Sequence, residues 1–364
     1  MLAFLLSLVL HVHAGESIND ALDSARAVYA AKAERTTILL EPGTYQEELT
    51  IDVPGVQLIN ASKKPSIGLK NGGVNCDDEA VRITWYRGHG YQYRSMDTIN
   101  FGGSRSRRWN ASVLVTAPDF YAQDIIFENS FNLYVSEKEA EDSLFILPEY
   151  TARPMPERPK QVGSTEVQWK QYRERAAAIS FTETAKNAHL KNCTAVGRQD
   201  VVYGDQGATI YWERGVLAGG VDFIFGAMTM VVDHAIIIAN ITDEEGEKCY
   251  ISAGRSEQGN RGLLFYHCYI RSPKPESVWL ARPWRWWGET VWAYTRWDKG
   301  VLNPEGWHTG LVRKKEGYNP ENPCPFSYEY KSQDGSIGRP KWVTVLRKPT
   351  LPDGTRLKPK DWLK

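Results

Sequence analysis

The stretch HLKNCTAVGRQDVVYGDQGATIYWERGVLAGGVDFIFGAMTMVVDHAIIIA, residues 189 to 239, decides how this chain folds. Three segments within it follow one plan: HLKNCTAVG (189–197), YWERGVLAG (211–219) and VVDHAIIIA (231–239). They begin at His189, Tyr211 and Val231, nearly evenly spaced, and each sets polar residues before an apolar run. YAQDIIFEN (121–129) and LFYHCYIRS (264–272) repeat the plan on either side. A period of about 20 residues or a little more is the mark of a solenoid. Segments so short and rich in Val, Ile, Phe and Tyr are strands, and little helix lies between them. The expected fold is therefore all-β, a single-stranded parallel β-helix whose coils stack about 4.8 Å apart. A β-sandwich is the alternative. It needs tight hairpins, and two-residue signals such as Asn-Gly between paired strands are few.

Working outward, one helical rhythm stands out. In INDALDSARAVYAAKAE (18–34), Ile18, Ala21, Leu22, Ala25, Val28 and Tyr29 share a face. Two stretches break the strand rhythm and read as long insertions, at about 86–110 and 131–172. The first is basic and aromatic, with Arg87, Arg94, Arg105, Arg107 and Arg108. Long loops on a rigid scaffold often carry function, and the competing reading is solvated decoration. The solenoid is expected to span 15–335, with 336–364 as a C-terminal extension. The opening MLAFLLSLVLHVHA has the length of a signal-peptide core and ends in a passable cleavage site at residue 14, but it lacks a basic start. It is too short to span a membrane. Export is expected, to the exterior or a periplasm, against the alternative of a buried first strand.

Composition narrows the function. Lys plus Arg and Asp plus Glu both number 44, so the net charge is zero and a nucleic-acid binder is disfavoured. The five cysteines are scattered without a CxxC, which leaves zinc and redox motifs unsupported. No GxSxG elbow and no HExxH occur. The 13 Trp and 18 Tyr cluster partly in polar stretches, where aromatic rings suit sugar stacking as well as ordinary packing.

Two carboxylates then stand out. Asp200 in GRQDVVY and Asp222 in GGVDFIFG are one repeat period apart, the same interval that separates His189 from Tyr211. On a β-helix such positions sit on adjacent coils of one face. Two close carboxylates do not both ionise cheaply, so one is held protonated and the other charged, as suits a general acid beside a nucleophile. A solvated Asp ladder is the plainer reading, and spacing alone favours it. Arg282, in VWLARPWRWW among Trp279, Trp284, Trp286 and Trp287, shifts the balance, because a guanidinium there is poised to fork onto a carboxylate.

Four motifs in order, GTYQEEL (43–49), GRQDVVY (197–203), GGVDFIFG (219–226) and LARPW (280–284), resemble the GxYxE, QDTLY, TVDFIFG and LGRPW signatures of the pectin methylesterases, carbohydrate esterase family 8. SVLVTAPDFYAQDIIFENS and NPEGW are also similar, so the resemblance covers about residues 17–335. It implies a right-handed parallel β-helix and a carboxylic ester hydrolase that releases methanol from methyl-esterified galacturonate in pectin. It implies Asp222 as nucleophile, Asp200 as general acid then base, Arg282 as the clamp on Asp222, and Gln199 as oxyanion donor. Tyr203, Phe223, Trp284 and Trp286 would line the sugar subsites. It implies no cofactor and no metal. The partner would be a pectic polysaccharide, with no nucleic acid and no membrane, and a monomer is expected. One departure is marked. The family's second oxyanion glutamine lies one coil before the Gln-Asp pair, and counting back one coil from Gln199 reaches Arg175 in ERAAAIS. That leaves two alternatives open: a related esterase acting on a branched pectic side chain or on acetyl esters, and a non-catalytic carbohydrate-binding β-helix.

Overall fold

The computed structural model describes residues 8–89, 91–95, 111–146, 157–310, 312, 318–332 and 338–364. Arg105, Arg107 and Arg108 of the first insertion lie outside the described residues. The repeats form coils whose strands build three parallel sheets of eleven, seven and eight strands among the described residues. The chain is thus the expected parallel β-helix.

The seven-stranded sheet carries both aspartates at its edge turns. Its order runs Val278–Ala281, Cys249–Gly254, Ile224–Gly226, Val202–Gly204, Ile179–Phe181, Val113–Val115 and Leu49–Ile51. Neighbours pair in register, with Ile179 beside Val202, Val202 beside Ile224, and Ile224 beside Ser252. Inward residues such as Ile179, Val202 and Ile224 join one continuous core with residues of the other two sheets. Aromatics stack inside it as well, Phe265 lying 3.8 Å from Trp292.

Turning a corner every few residues needs left-handed backbone. Asn192, Arg214, His234, His267 and Tyr294 hold positive φ on successive coils at one corner. At Gly215 (φ 83°) a Cβ would lie 2.0 Å from the carbonyl oxygen of Cys193, so only glycine fits. The helix Ile18–Lys32 covers the first coil. Ser17 caps it by accepting from the Asp20 amide, and Ile18, Ala21, Leu22 and Ala25 are buried while Val28 and Tyr29 are half-buried. The apolar run at the start supplies Leu8–Val12, which pairs in parallel with Thr36–Leu40. Past residue 335 the chain stays on the solenoid: Thr344–Val345 extends the eleven-stranded sheet, and Trp362 is buried with its indole donating to the Gly262 carbonyl. All five cysteines are free thiols.

The two insertions are joined. Tyr91–Tyr93 of the first pairs antiparallel with Leu144–Ile146 of the second. Beneath them the buried Arg158 donates twice to Glu139 Oε1 and lies 3.6 Å over the Phe131 ring, and Tyr93 donates to the same oxygen. This lobe is tied to the coil that precedes Gln199. The His89 amide donates to the Arg175 carbonyl at 2.8 Å, and Asn129 Nδ2 donates to the Ala177 carbonyl at 3.0 Å.

Candidate active site

The site grows from two equivalent bends. Asp200 and Asp222 each precede a strand of the seven-stranded sheet, and each holds left-handed backbone, φ 56° and 47°. Such a bend swings the aspartate outward while the following valine or phenylalanine turns into the core. Parallel pairing of Gln199 with Val221 sets the two carboxylates side by side on adjacent coils, and the Asp200 amide donates to the Val221 carbonyl. Both are buried, at 3% and 2% exposure, which raises the cost of any unpaired charge there.

Arg282 answers that cost for Asp222. Its Nε donates to Oδ1 at 2.5 Å and its Nη2 to Oδ2 at 2.7 Å, a two-pronged fork. The Trp284 indole adds a third bond to Oδ2 at 3.1 Å. Burial pulls the Arg282 pKa down, but the hydrogen bonds and charge of Asp222 outweigh it and hold the guanidinium above its ordinary value. Asp222 is thereby fixed in one orientation, with its charge balanced and its surroundings apolar.

The remaining expected residues fall in different places. Gln199 is half-buried next to the pair, and its carbonyl accepts from the Ala176 amide. Tyr203 and Phe225 face outward, their rings 5.6 Å apart. Tyr203 is 3% exposed, and its hydroxyl donates to Asp205 while accepting from Arg255. Trp284 packs edge-on to Phe225 at 5.2 Å, and Trp286 is half-buried further along that turn. Phe223 requires a correction. It is 0% exposed within the main core, because the bend at Asp222 turns the next residue inward, so it cannot line a sugar subsite. Arg175 stands where the count along the chain places it. The Ala176 amide donates to the Gln199 carbonyl, as the Asp200 amide donates to the Val221 carbonyl where Gln199 pairs with Val221, so Arg175 aligns with Gln199. The Ala178 and Ile179 amides both donate to the Val201 carbonyl, and this bulge shifts the register by one position before Ile179 pairs with Val202. Arg175 is bonded to its neighbour Glu174 and lies close enough to His89 that burial and the Arg175 charge together hold the imidazole pKa down at about 4.

Sequence reasoning missed Tyr250 and Arg255. Tyr250 lies on the next coil with its ring centre 3.9 Å from the Arg282 Cζ, and Arg255 lies over the Tyr203 and Phe225 rings at 5.7 and 5.6 Å. The pairing of Ile224 with Ser252 makes their coil longer than the repeat at His189, Tyr211 and Val231, so a fixed period steps past them.

A bent, arginine-clamped carboxylate thus sits one coil from a second buried carboxylate on a parallel β-helix. Residues 167–314 match the family model described as Pectinesterase. The chain is 27% identical over 295 residues to Pectinesterase 31 of Arabidopsis thaliana, covering 80% of this chain and 72% of that one. It is 29% identical to a pectinesterase of Petunia integrifolia over 37% of each chain. Among solved structures, pectin methylesterase from carrot superposes with a TM-score of 0.65 at 17% identity, covering 98% of this chain and 92% of the other. Pectin methylesterase from Yersinia enterocolitica gives 0.63 at 22% identity, covering 91% and 93%. The resemblance to pectin methylesterases read from the four motifs is borne out, as is the fold.

Proposed function

We propose that this chain is a pectin methylesterase that hydrolyses the methyl esters of galacturonate and releases methanol. The observation that carries the reading is the Arg282 fork on Asp222, one coil from Asp200. In this reading the Asp222 carboxylate attacks the ester carbonyl carbon, and the C=O electron pair moves to oxygen. Gln199 donates to that oxyanion. The tetrahedral species collapses as Asp200 gives its proton to the departing methoxide, which leaves as methanol. An acyl anhydride on Asp222 remains. Asp200, now a carboxylate, takes a proton from water, whose oxygen attacks the acyl carbon. This second tetrahedral species breaks its bond to the Asp222 oxygen, which restores the Asp222 carboxylate, and the galacturonic acid leaves and gives up its proton to solvent.

Arg175 aligns with Gln199 where the resemblance expects a second glutamine, and this substitution favours testing the ester as well as the polymer. A panel that measures methanol and acetate from linear and branched pectic fractions does so. Methanol from linear methyl-esterified substrate is expected. Acetate release with no methanol would replace this reading with that of an acetyl esterase. A pectic substrate also fits export, which the apolar run at residues 1–14 supports. Amino-terminal sequencing of the secreted protein tests this, since retention of the strand Leu8–Val12 would contradict cleavage after residue 14.

A further inference from the structure

We propose that Tyr250 is a positioning residue: its ring holds the Arg282 guanidinium in the plane from which Arg282 clamps Asp222. This rests on the reading of Asp222 as the reacting carboxylate. Pairing of Ile224 with Ser252 sets Tyr250 on the coil next to Asp222, and the Tyr250 amide donates to the Gly220 carbonyl at 2.7 Å. The Arg282 Cζ lies 3.9 Å from the centre of the Tyr250 ring. The ring is itself held in place. Trp279 packs nearly parallel to it, at 6.2 Å and 13°, and His308 meets both rings edge-on at 5.6 and 5.1 Å.

A guanidinium on a long flexible stem has many rotamers, and only those in the carboxylate plane form both bonds to Asp222. A flat π face removes the competing orientations, and it attracts the cation most where water is scarce. Arg282 is a quarter exposed and Asp222 almost fully buried, so the clamp sits where that attraction counts. The Tyr250 hydroxyl makes no hydrogen bond among the described residues, so the ring alone performs this role.

The test compares Tyr250→Phe with Tyr250→Met, which keeps the bulk and loses the π face. Rates are measured on methyl-esterified pectin, and hydrogen exchange at Arg282 Nε is followed by NMR, with Arg282→Lys used to assign the signal. The Phe variant is expected to stay within about twofold of the parent. The Met variant is expected to lose about tenfold in kcat with KM within about twofold, and its Arg282 Nε proton to exchange faster by a similar factor. Unfolding curves check each variant, and Tyr250→Leu replaces the Met variant if that one is unfolded. The proposal falls if the Met variant keeps both kcat and the exchange rate, or if Phe falls as far as Met. A rise in KM at unchanged kcat would also overturn it, since the ring would then be touching substrate. The exchange measurement needs no turnover. A parent protein that releases no methanol would count against the proposed function, while exchange would still decide the role of Tyr250.

Discussion

At the scale of single residues, the site turns on a fork that only arginine makes. Arg282 spans both oxygens of Asp222, and a lysine there would keep the charge while reaching one oxygen at a time. Arg282→Lys is therefore expected to lower kcat on the order of 10²-fold while the fold survives, as initial rates and a thermal melt would show. The Asp222 and Arg282 pairing was legible from residue type and motif. Its geometry was not, because nothing in the chain announces that both aspartates hold left-handed backbone or that Trp284 adds a third bond. Phe223 shows the limit. Its neighbours in GGVDFIFG are aromatic and apolar on both sides, so alternation does not say which phenylalanine faces out, and the bend at Asp222 gives that place to Phe225.

Elements set the precision with which those residues meet. Gly226 ends the Asp222 strand at φ 138°, and a Cβ there would lie 2.1 Å from the carbonyl oxygen of Gly204 on the neighbouring coil. Gly226→Ala is expected to cost on the order of 2 kcal/mol or more in strain and to lower kcat by spreading the coils that carry Asp200 and Asp222, read by denaturant unfolding beside initial rates. The strand repeats could be read from composition and period because each coil presents the same alternation to the same core. The insertions could be located the same way, but not their pairing with each other. Tyr91–Tyr93 and Leu144–Ile146 are distant in the chain and form a ribbon only with each other, and Arg158 gives no sign in sequence that Glu139 will bury it.

For the whole molecule, stability as a function of pH reports on two buried groups with opposite signs. Burial, opposed by Arg261, raises the Glu289 pKa to about 7. The folded state then holds the extra proton, so the contribution of Glu289 is fully present below its unfolded value of about 4.5 and is lost as pH rises through 7. Burial, aided by the Arg175 charge, lowers the His89 pKa to about 4. Its contribution is present above about 6.5 and is lost as pH falls through 4. Glu289→Gln leaves the histidine alone and should lose stability on acidification, whereas His89→Asn leaves the glutamate alone and should lose it as pH rises. Between pH 5 and 6.5 the difference in unfolding free energy between the two variants should change by about 3 kcal/mol in denaturant titrations, and an unchanged difference would contradict both assignments.

Everything proposed for the site depends on the Asp222 carboxylate being the group that attacks. The direct measurement is methanol release from methyl-esterified polygalacturonate by the parent protein and by Asp222→Asn, with unfolding curves to establish that both are folded. The parent is expected to release methanol, and the variant, which fills the same space with a non-nucleophilic amide, is expected to release none above the uncatalysed rate. Methanol release by a folded Asp222→Asn protein at a rate near that of the parent would contradict that role for Asp222.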